Sequence, residues 1–267
     1  MTDENNIRGA RVVEVDDEGD ETSGFAAIDD SGDGAFCAPD DGDWNTSLAR
    51  PVETLVTAIL ARGPYDHSDV LARLRAQGAS DEAIIDHVVP QAAAALGEQW
   101  VDDELSFTRV SAATARLFGL SKVVARRWED RARAGEGHML LLASFRREDH
   151  LLGPGLLAQQ LRRRGHSIRV LSNTDADEVG RTLRSSEYDA LLVSASSLVN
   201  LRRATDEVGR LRATGHLRIP VIVGGRALDY SGPTMQDIPA DLVTRDIEAA
   251  LAFIAKTAGD DRRRVAK

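Results

Sequence analysis

Residues 148–153 read Glu148-Asp149-His150-Leu151-Leu152-Gly153 and lie three residues beyond an apolar run, MLLLAS, at 139–144. A loop histidine can give one ring nitrogen to a metal while the other donates to a carboxylate. Such a carboxylate fixes the tautomer and raises the basicity of the ligating nitrogen. Glu148, two residues before His150, is placed to be that partner. Gly153 starts the next helix and lets a ligand pass close to the backbone. One His and one carboxylate fall short of the three or four protein ligands that free zinc or iron takes. A single protein ligand suits a metal already held by a macrocycle, a haem or a corrin. Without such a group, a lone loop His is an ordinary solvated residue.

Two further stretches carry residue types suited to binding. Ser194, Ser196 and Ser197, with Leu198 after them, lie in SASSL, and Gly224-Gly225 closes VIVGG. Serines at such a place can cap the next helix, and a Gly pair can form a plain turn. The same residues can also hydrogen-bond a ligand and admit a bulky group beside the backbone. Phosphate-cradling fingerprints are missing: neither GxGxxG after the first strand nor GxxxxGK[ST] occurs. No GxSxG nucleophile elbow occurs either, and no catalytic set is apparent, so the chain does not read as an enzyme.

These residues need a frame that brings them together. From residue 138 the pattern alternates short apolar strands (138–144, 166–172, 188–196, 218–225, 240–246) with amphipathic helices. Short apolar strands are expected where helices cover both sheet faces. The pattern predicts an α/β fold, a flavodoxin-like (Rossmann-type) parallel five-stranded sheet in the order 2-1-3-4-5. Ligands bind such sheets beyond the carboxyl ends of the strands. There the loops after strands 1, 3 and 4 gather, which are the loops holding His150, the serines and the Gly pair. Before the sheet, residues 46–134 show four stretches with helical period, at 46–63, 67–78, 80–103 and 103–134. They predict a four-helix bundle, with Ser68 and Ser80 as N-caps and a kink or break at Pro90. Gly135-Glu136-Gly137 reads as the hinge between the two domains, residues 46–134 and 138–258. Residues 259–267 read as a frayed end.

The net charge of −10 is unevenly spread. Residues 1–43 hold 14 of the 43 Asp and Glu but only 2 of the 33 Lys and Arg, so the rest of the chain is near neutral. Residues 1–45 therefore read as a disordered acidic tail with too little apolar surface to offset chain entropy. No bulk positive field supports sequence-specific nucleic-acid binding. No apolar run approaches the roughly 20 residues needed to span a bilayer, so no membrane is expected. The acidic N-terminus is unlike a secretory signal. A single cysteine, Cys37, excludes an internal disulfide framework, and a reducing cytoplasm is the expected location.

With these motifs in hand, the second half resembles the cobalamin (vitamin B12)-binding domain family. That family carries D-x-H-x-x-G after strand 1, S-x-L after strand 3 and G-G after strand 4. The matching positions here are 148–153, 194–198 and 224–225. The bundle resembles the helical cap that precedes this domain in methionine synthase and in the light-sensing CarH repressors. Their LGxxW corresponds to Leu96-Gly97-Glu98-Gln99-Trp100. The resemblance spans roughly residues 50–257 and implies base-off, His-on cobalamin, in its adenosyl, methyl or hydroxo form. His150 would be the lower cobalt ligand, with Glu148, Asp149 and Leu151 around it. The displaced nucleotide tail would pass Gly153 and the 194–198 loop towards Gly224 and Gly225. Trp100, Phe107 and Val110 would cover the upper face. Two positions depart from the pattern. The family Asp is Glu148, and the S-x-L serine is Ser194 by its distance from Gly-Gly but Ser196 or Ser197 by letters. CarH-type photoreceptors carry Glu-His where this chain has Val110-Ser111.

Within the family, residues 100–117 look most like the AerR/PpaA regulators of photosynthesis genes. That resemblance implies a light-responsive antirepressor that acts through a separate DNA-binding transcription repressor and binds no DNA itself. A corrinoid methyl carrier, and the same regulator with haem, are the other readings. The remaining polar residues take ordinary roles. Arg162, Arg163 and Arg164 are expected to solvate a helix face. Trp128 reads as a packing residue, and His67, His87, His166 and His216 have no partners at ligand spacing.

Overall fold

The computed structural model describes residues 44–134, 137–215, 217–230 and 238–265. Residues 1–43 of the acidic tail lie outside these residues, as does most of the 135–137 hinge, whereas residues 44–45, read as part of that tail, already belong to the first helix. The helical half comprises α1 (Trp44–Leu60), α2 (His67–Ala76), a run of α3 (Asp81–Ala83), a π-turn (Ile84–Val88) and α4 (Val89–Val101), and α5 (Phe107–Ala134). Ser80 caps its run as expected, accepting from the Ala83 N–H at 3.1 Å. The cap of α2 is Asp66 instead of Ser68: its carboxylate accepts from the Ser68 and Asp69 N–H groups. Pro90 does not break the run. It sits at the second position of α4, after a π-turn whose closing bond runs from Val89 N–H to Ile84 O. The wider π pattern absorbs the missing proline donor, a common origin of such bulges.

The second half contains β1 (Met139–Phe145), α6 (Leu152–Arg163), β2 (Ser167–Thr174), α7 (Ala176–Ser185), β3 (Ala190–Ser194), α8 (Leu198–Ala213), β4 (Val221–Gly224), β5 (Leu242–Val243) and α9 (Ile247–Val265). The parallel sheet has the order β2-β1-β3-β4-β5, as the strand pattern predicts. Alternate residues of β1 feed opposite cores, as the two-residue period of a strand requires. Leu141 and Ala143 pack with α7 and α8, and Leu140 and Leu142 with α6 and α9. The closing helix runs on to Val265 where a frayed end was expected. The stretch is rich in Ala and Arg, and one Gly costs a helix only about 1 kcal/mol.

The two halves share a core. Leu156 of α6 is buried among the bundle residues, and Leu152 packs on the same cluster. The three consecutive arginines fasten elements together instead of solvating a face. Arg163 pairs with Asp86 at 2.5 Å and lies over the Trp128 ring. Arg162 donates to Ile168 O at 3.1 Å, and Arg164 pairs with Glu248 at 2.7 Å. Trp128 is buried, as a packing residue should be.

Helices α5 and α6 run parallel. Phe118 faces Gly155, Ser121 bonds Gln159 at 3.2 Å, and Trp128 meets Arg163. Because α5 starts at Phe107 and α6 at Leu152, about two turns of α5 project past the start of α6. At 1.5 Å per residue this overhang is roughly 12 Å long. It lies at the end of α6 from which the His150 loop departs.

Candidate functional site

The chain leaves β1 at Phe145 and turns sharply, with Arg147 at φ +64°. The turn is held by the Asn173 side chain, which accepts from the Arg147 N–H at 3.1 Å. Glu148 then points inward and is buried, while the His150 side chain remains 56% exposed. His150 Nδ1 lies 3.2 Å from Glu148 Oε1 and 3.0 Å from Ser196 Oγ. The backbone N–H of His150 also donates to Oε1, at 3.0 Å. Ser196 donates twice to the same carboxylate, from Oγ to Oε1 at 2.7 Å and from N to Oε2 at 2.9 Å. Asn200 Nδ2 donates to Oε2 at 3.0 Å. Burial alone would push the Glu148 carboxyl up. The hydrogen bonds from His150 and Ser196 outweigh it and hold the group below the usual carboxylate range. The result is a buried, ionised carboxylate placed to accept a hydrogen bond from a protonated His150 Nδ1, the tautomer in which Nε2 is the available nitrogen.

The two assignments of the S-x-L serine separate in space. Ser196 belongs to the His150 network. Ser194 is the last residue of β3, is paired with Gly224 and lines a groove at the sheet's carboxyl edge. That groove runs between the sheet and the α6/α9 face, walled by Leu157, Leu192, Gly225, Ile247 and Ile254. Ser197 caps α8, accepting from the Asn200 N–H at 3.2 Å. Gly224 and Gly225 do not leave empty space. A Cβ on Gly225, at φ +110°, would stand 2.2 Å from Ala195 O, and one on Gly224 2.7 Å from Thr244 O. The pair lets β4 end tightly between its neighbours and form the groove wall. Gly153 is the second residue of α6 rather than its first, and the space beside it is open, since a Cβ there would meet nothing within 4 Å.

Leu151, Leu198, Val199 and Phe107 are among the few large apolar side chains left exposed. The first three flank the His150 and Ser196 loops, and Phe107 starts the α5 overhang. Val110 packs partly on the bundle core. Trp100 is the last residue but one of α4, beside Gln99, whose carbonyl receives the N–H groups of Glu104 and Leu105 on the way into α5. Asp149 is exposed and joins the loop through its carbonyl, which accepts from Leu151 N–H. Among the described residues no group of three or more His, Cys, Asp or Glu side chains converges. No described helix is long and apolar enough to cross a membrane.

Sequence reasoning missed Asn200, whose role follows only once the first turn of α8 is seen against Glu148. It also missed the hydrophobic side of the groove, because Ile247 and Ile254 look like ordinary helix core. A pair of histidines escaped as well. His138 and His166 stack with ring centroids 5.5 Å apart and an interplanar angle of 4°, but no local spacing signals a pair so far apart in the chain.

No family model matches the chain. It is 27% identical over 175 residues to an uncharacterized 20.5 kDa protein encoded in the bchF–crtJ intergenic region of Rhodobacter capsulatus, covering 64% of this chain and 90% of that protein. Its fold is that of the monomethylamine corrinoid protein of Methanosarcina barkeri: the TM-score is 0.62 at 17% identity, covering 80% of this chain and 98% of the other. A cobalamin-binding protein of Desulfitobacterium hafniense overlaps less well, with a TM-score of 0.39 at 16% identity over 81% and 98% of the two chains.

Proposed function

We propose that this chain binds cobalamin in the base-off, His-on mode and regulates transcription through a protein partner. The observation that carries the binding reading is the His150 network. One exposed histidine, with Nδ1 turned to a buried ionised carboxylate, is suited to donate Nε2 to a metal that brings its other ligands with it. The surroundings fit a corrin. Exposed Leu151, Leu198 and Val199 offer an apolar rim for a flat macrocycle, and the groove beside Gly225 is where its nucleotide tail would enter. The α5 overhang, with Phe107 and Val110, stands on the side where an upper face would lie. Haem shares the single-histidine requirement, but the fold shared with a corrinoid protein favours a corrinoid. Cobalamin in its adenosyl form would supply a cobalt–carbon bond that light can break. The chain's part is to hold the group and to register its state across the interface between α6 and the bundle.

The similarity of residues 100–117 to the AerR/PpaA regulators supports the regulatory role. A DNA-binding repressor would then be the partner. A second reading, a methyl carrier between two enzymes, is favoured by the fold shared with a corrinoid protein. Illuminating the protein loaded with adenosylcobalamin separates the two. A regulator changes both its spectrum and its affinity for the repressor. A carrier shows no light-dependent binding and accepts a methyl group from a methyltransferase.

A further inference from the structure

Asn200 donates to two members of the His150 network and is itself held by a third residue. Its Nδ2 lies 3.0 Å from Glu148 Oε2 and 3.3 Å from Ser196 Oγ. On its other side, Arg203 Nη1 lies 3.4 Å from Asn200 Oδ1. An amide can be turned either way, so its neighbours must decide. Arg can only donate, which assigns the oxygen to the Arg203 side and the NH2 group to the Glu148 side.

The consequences run through the network in one direction. Each N–H of Asn200 occupies one acceptor, Glu148 Oε2 and a lone pair of Ser196 Oγ. Ser196 sends its single proton to Glu148 Oε1 at 2.7 Å. The hydroxyl then has no proton left for His150, and its remaining lone pair faces His150 Nδ1 at 3.0 Å. Both groups facing Nδ1, Ser196 Oγ and Glu148 Oε1, are therefore acceptors, and Nδ1 must carry the proton. We infer that Asn200, oriented by Arg203, is a positioning residue: it holds Glu148 and Ser196 as the two acceptors against His150 Nδ1 and so keeps Nε2 the nitrogen offered to a ligand. Residue 200 lies in the first turn of α8, so the register of that helix is transmitted to the histidine.

The effect on the apoprotein stands independently of what binds, whereas its effect on ligation rests on the cobalamin reading. Both are measured on the full chain. In the apoprotein, nitrogen-15 NMR of His150 at a pH where the ring is neutral reads the tautomer directly. The wild type should show the Nδ1–H form. Asn200→Asp, which sets a second carboxylate against Glu148 Oε2, should push Glu148 away from Nδ1 and shift the population towards Nε2–H, and Arg203→Met should give a smaller shift in the same direction. With hydroxocobalamin as the probe, Asn200→Asp should weaken binding about 10- to 100-fold, the usual cost of losing an outer partner of a metal ligand. Asn200→Ala, with its melting curve recorded, controls for a purely structural loss. An unchanged tautomer in both Asn200 variants overturns the inference. Failure of the wild type to bind hydroxocobalamin sinks the cofactor reading, and the tautomer measurement alone then decides the role of Asn200.

Discussion

Strand β1 carries a histidine–carboxylate pair at each end, and the two pairs are built in opposite ways. At the carboxyl end, Glu148 is buried under donors and His150 is exposed, with its free nitrogen facing out. At the amino end the carboxylate is the more exposed partner. Asp189 sits 3.6 Å from His138 Nδ1 and also accepts from Met139 N–H at 2.7 Å. The His138 N–H donates to His166 Nδ1 at 3.0 Å, and the two rings stack. There the imidazoles are spent on the protein itself, tying the start of β1 to the start of β2. A histidine and an acid near each other therefore mean little until one asks which of the two is buried. Burying the acid aims the histidine outward; stacking the histidines closes the site.

The sharpest way to break this comparison is to remove each histidine in turn. His150→Ala should weaken hydroxocobalamin binding by at least about 100-fold, since losing the ligand costs more than losing its partner. His138→Ala should leave that affinity within about twofold. Equal losses, measured by absorbance titration, would show that the two ends do not differ in function.

The carboxylates come next. Glu148→Gln keeps the shape but removes the charge that holds the Nδ1 proton, and affinity should fall about 10- to 100-fold. Asp189→Asn should leave binding unchanged. Equilibrium titration of both variants gives the ratio directly.

The glycines flanking β1 sharpen the contrast through stability. A Cβ on Gly137 would stand 2.2 Å from Gly165 O, whereas one on Gly153 meets nothing. Gly137→Ala should destabilise the fold by about 2 kcal/mol through a forced backbone shift. Gly153→Ala should be neutral or stabilising by about 0.5 kcal/mol, because Gly is a poor helix residue, while still reducing cobalamin affinity if the tail passes there. Urea unfolding checks the two stability values.

The smallest expected effect is on pH. Burial, then the nearby His138 and Arg164, lower the His166 pKa from its ordinary value of 6.5, against the pull of Asp189 and Glu248. The unfolded chain therefore binds this proton more readily. The stability it contributes is complete above pH 6.5 and is lost as pH falls from there through the folded value. Glu148, held below its ordinary 4.5, gives a contribution that is lost only at lower pH. Stability measured against pH should fall in two separable acid steps, and His166→Asn, which keeps an acceptor but does not titrate, should remove the first.

Much of this was legible in the sequence. The strand order, the gathering of three loops at one sheet edge and the pairing of Glu148 with His150 all follow from local pattern and the chirality of βαβ connections. What escaped depends on contacts between distant residues. Gly225 looked like room for a ligand because the approach of Ala195 O is set by the β3–β4 pairing. Arg163 looked like a solvated side chain because its partner, Asp86, lies in the other half of the chain. Asn200 carried no motif at all, and its direction of hydrogen bonding emerges only from Arg203 on one side and Glu148 on the other.

Ligation of cobalt by His150 is tested most directly by the visible absorption spectrum of the purified protein mixed with hydroxocobalamin. A base-off, His-on spectrum is expected in the wild type, retained in His138→Ala and abolished in His150→Ala. An unchanged spectrum in His150→Ala, or a wild type that leaves the spectrum of free hydroxocobalamin unaltered, would contradict it.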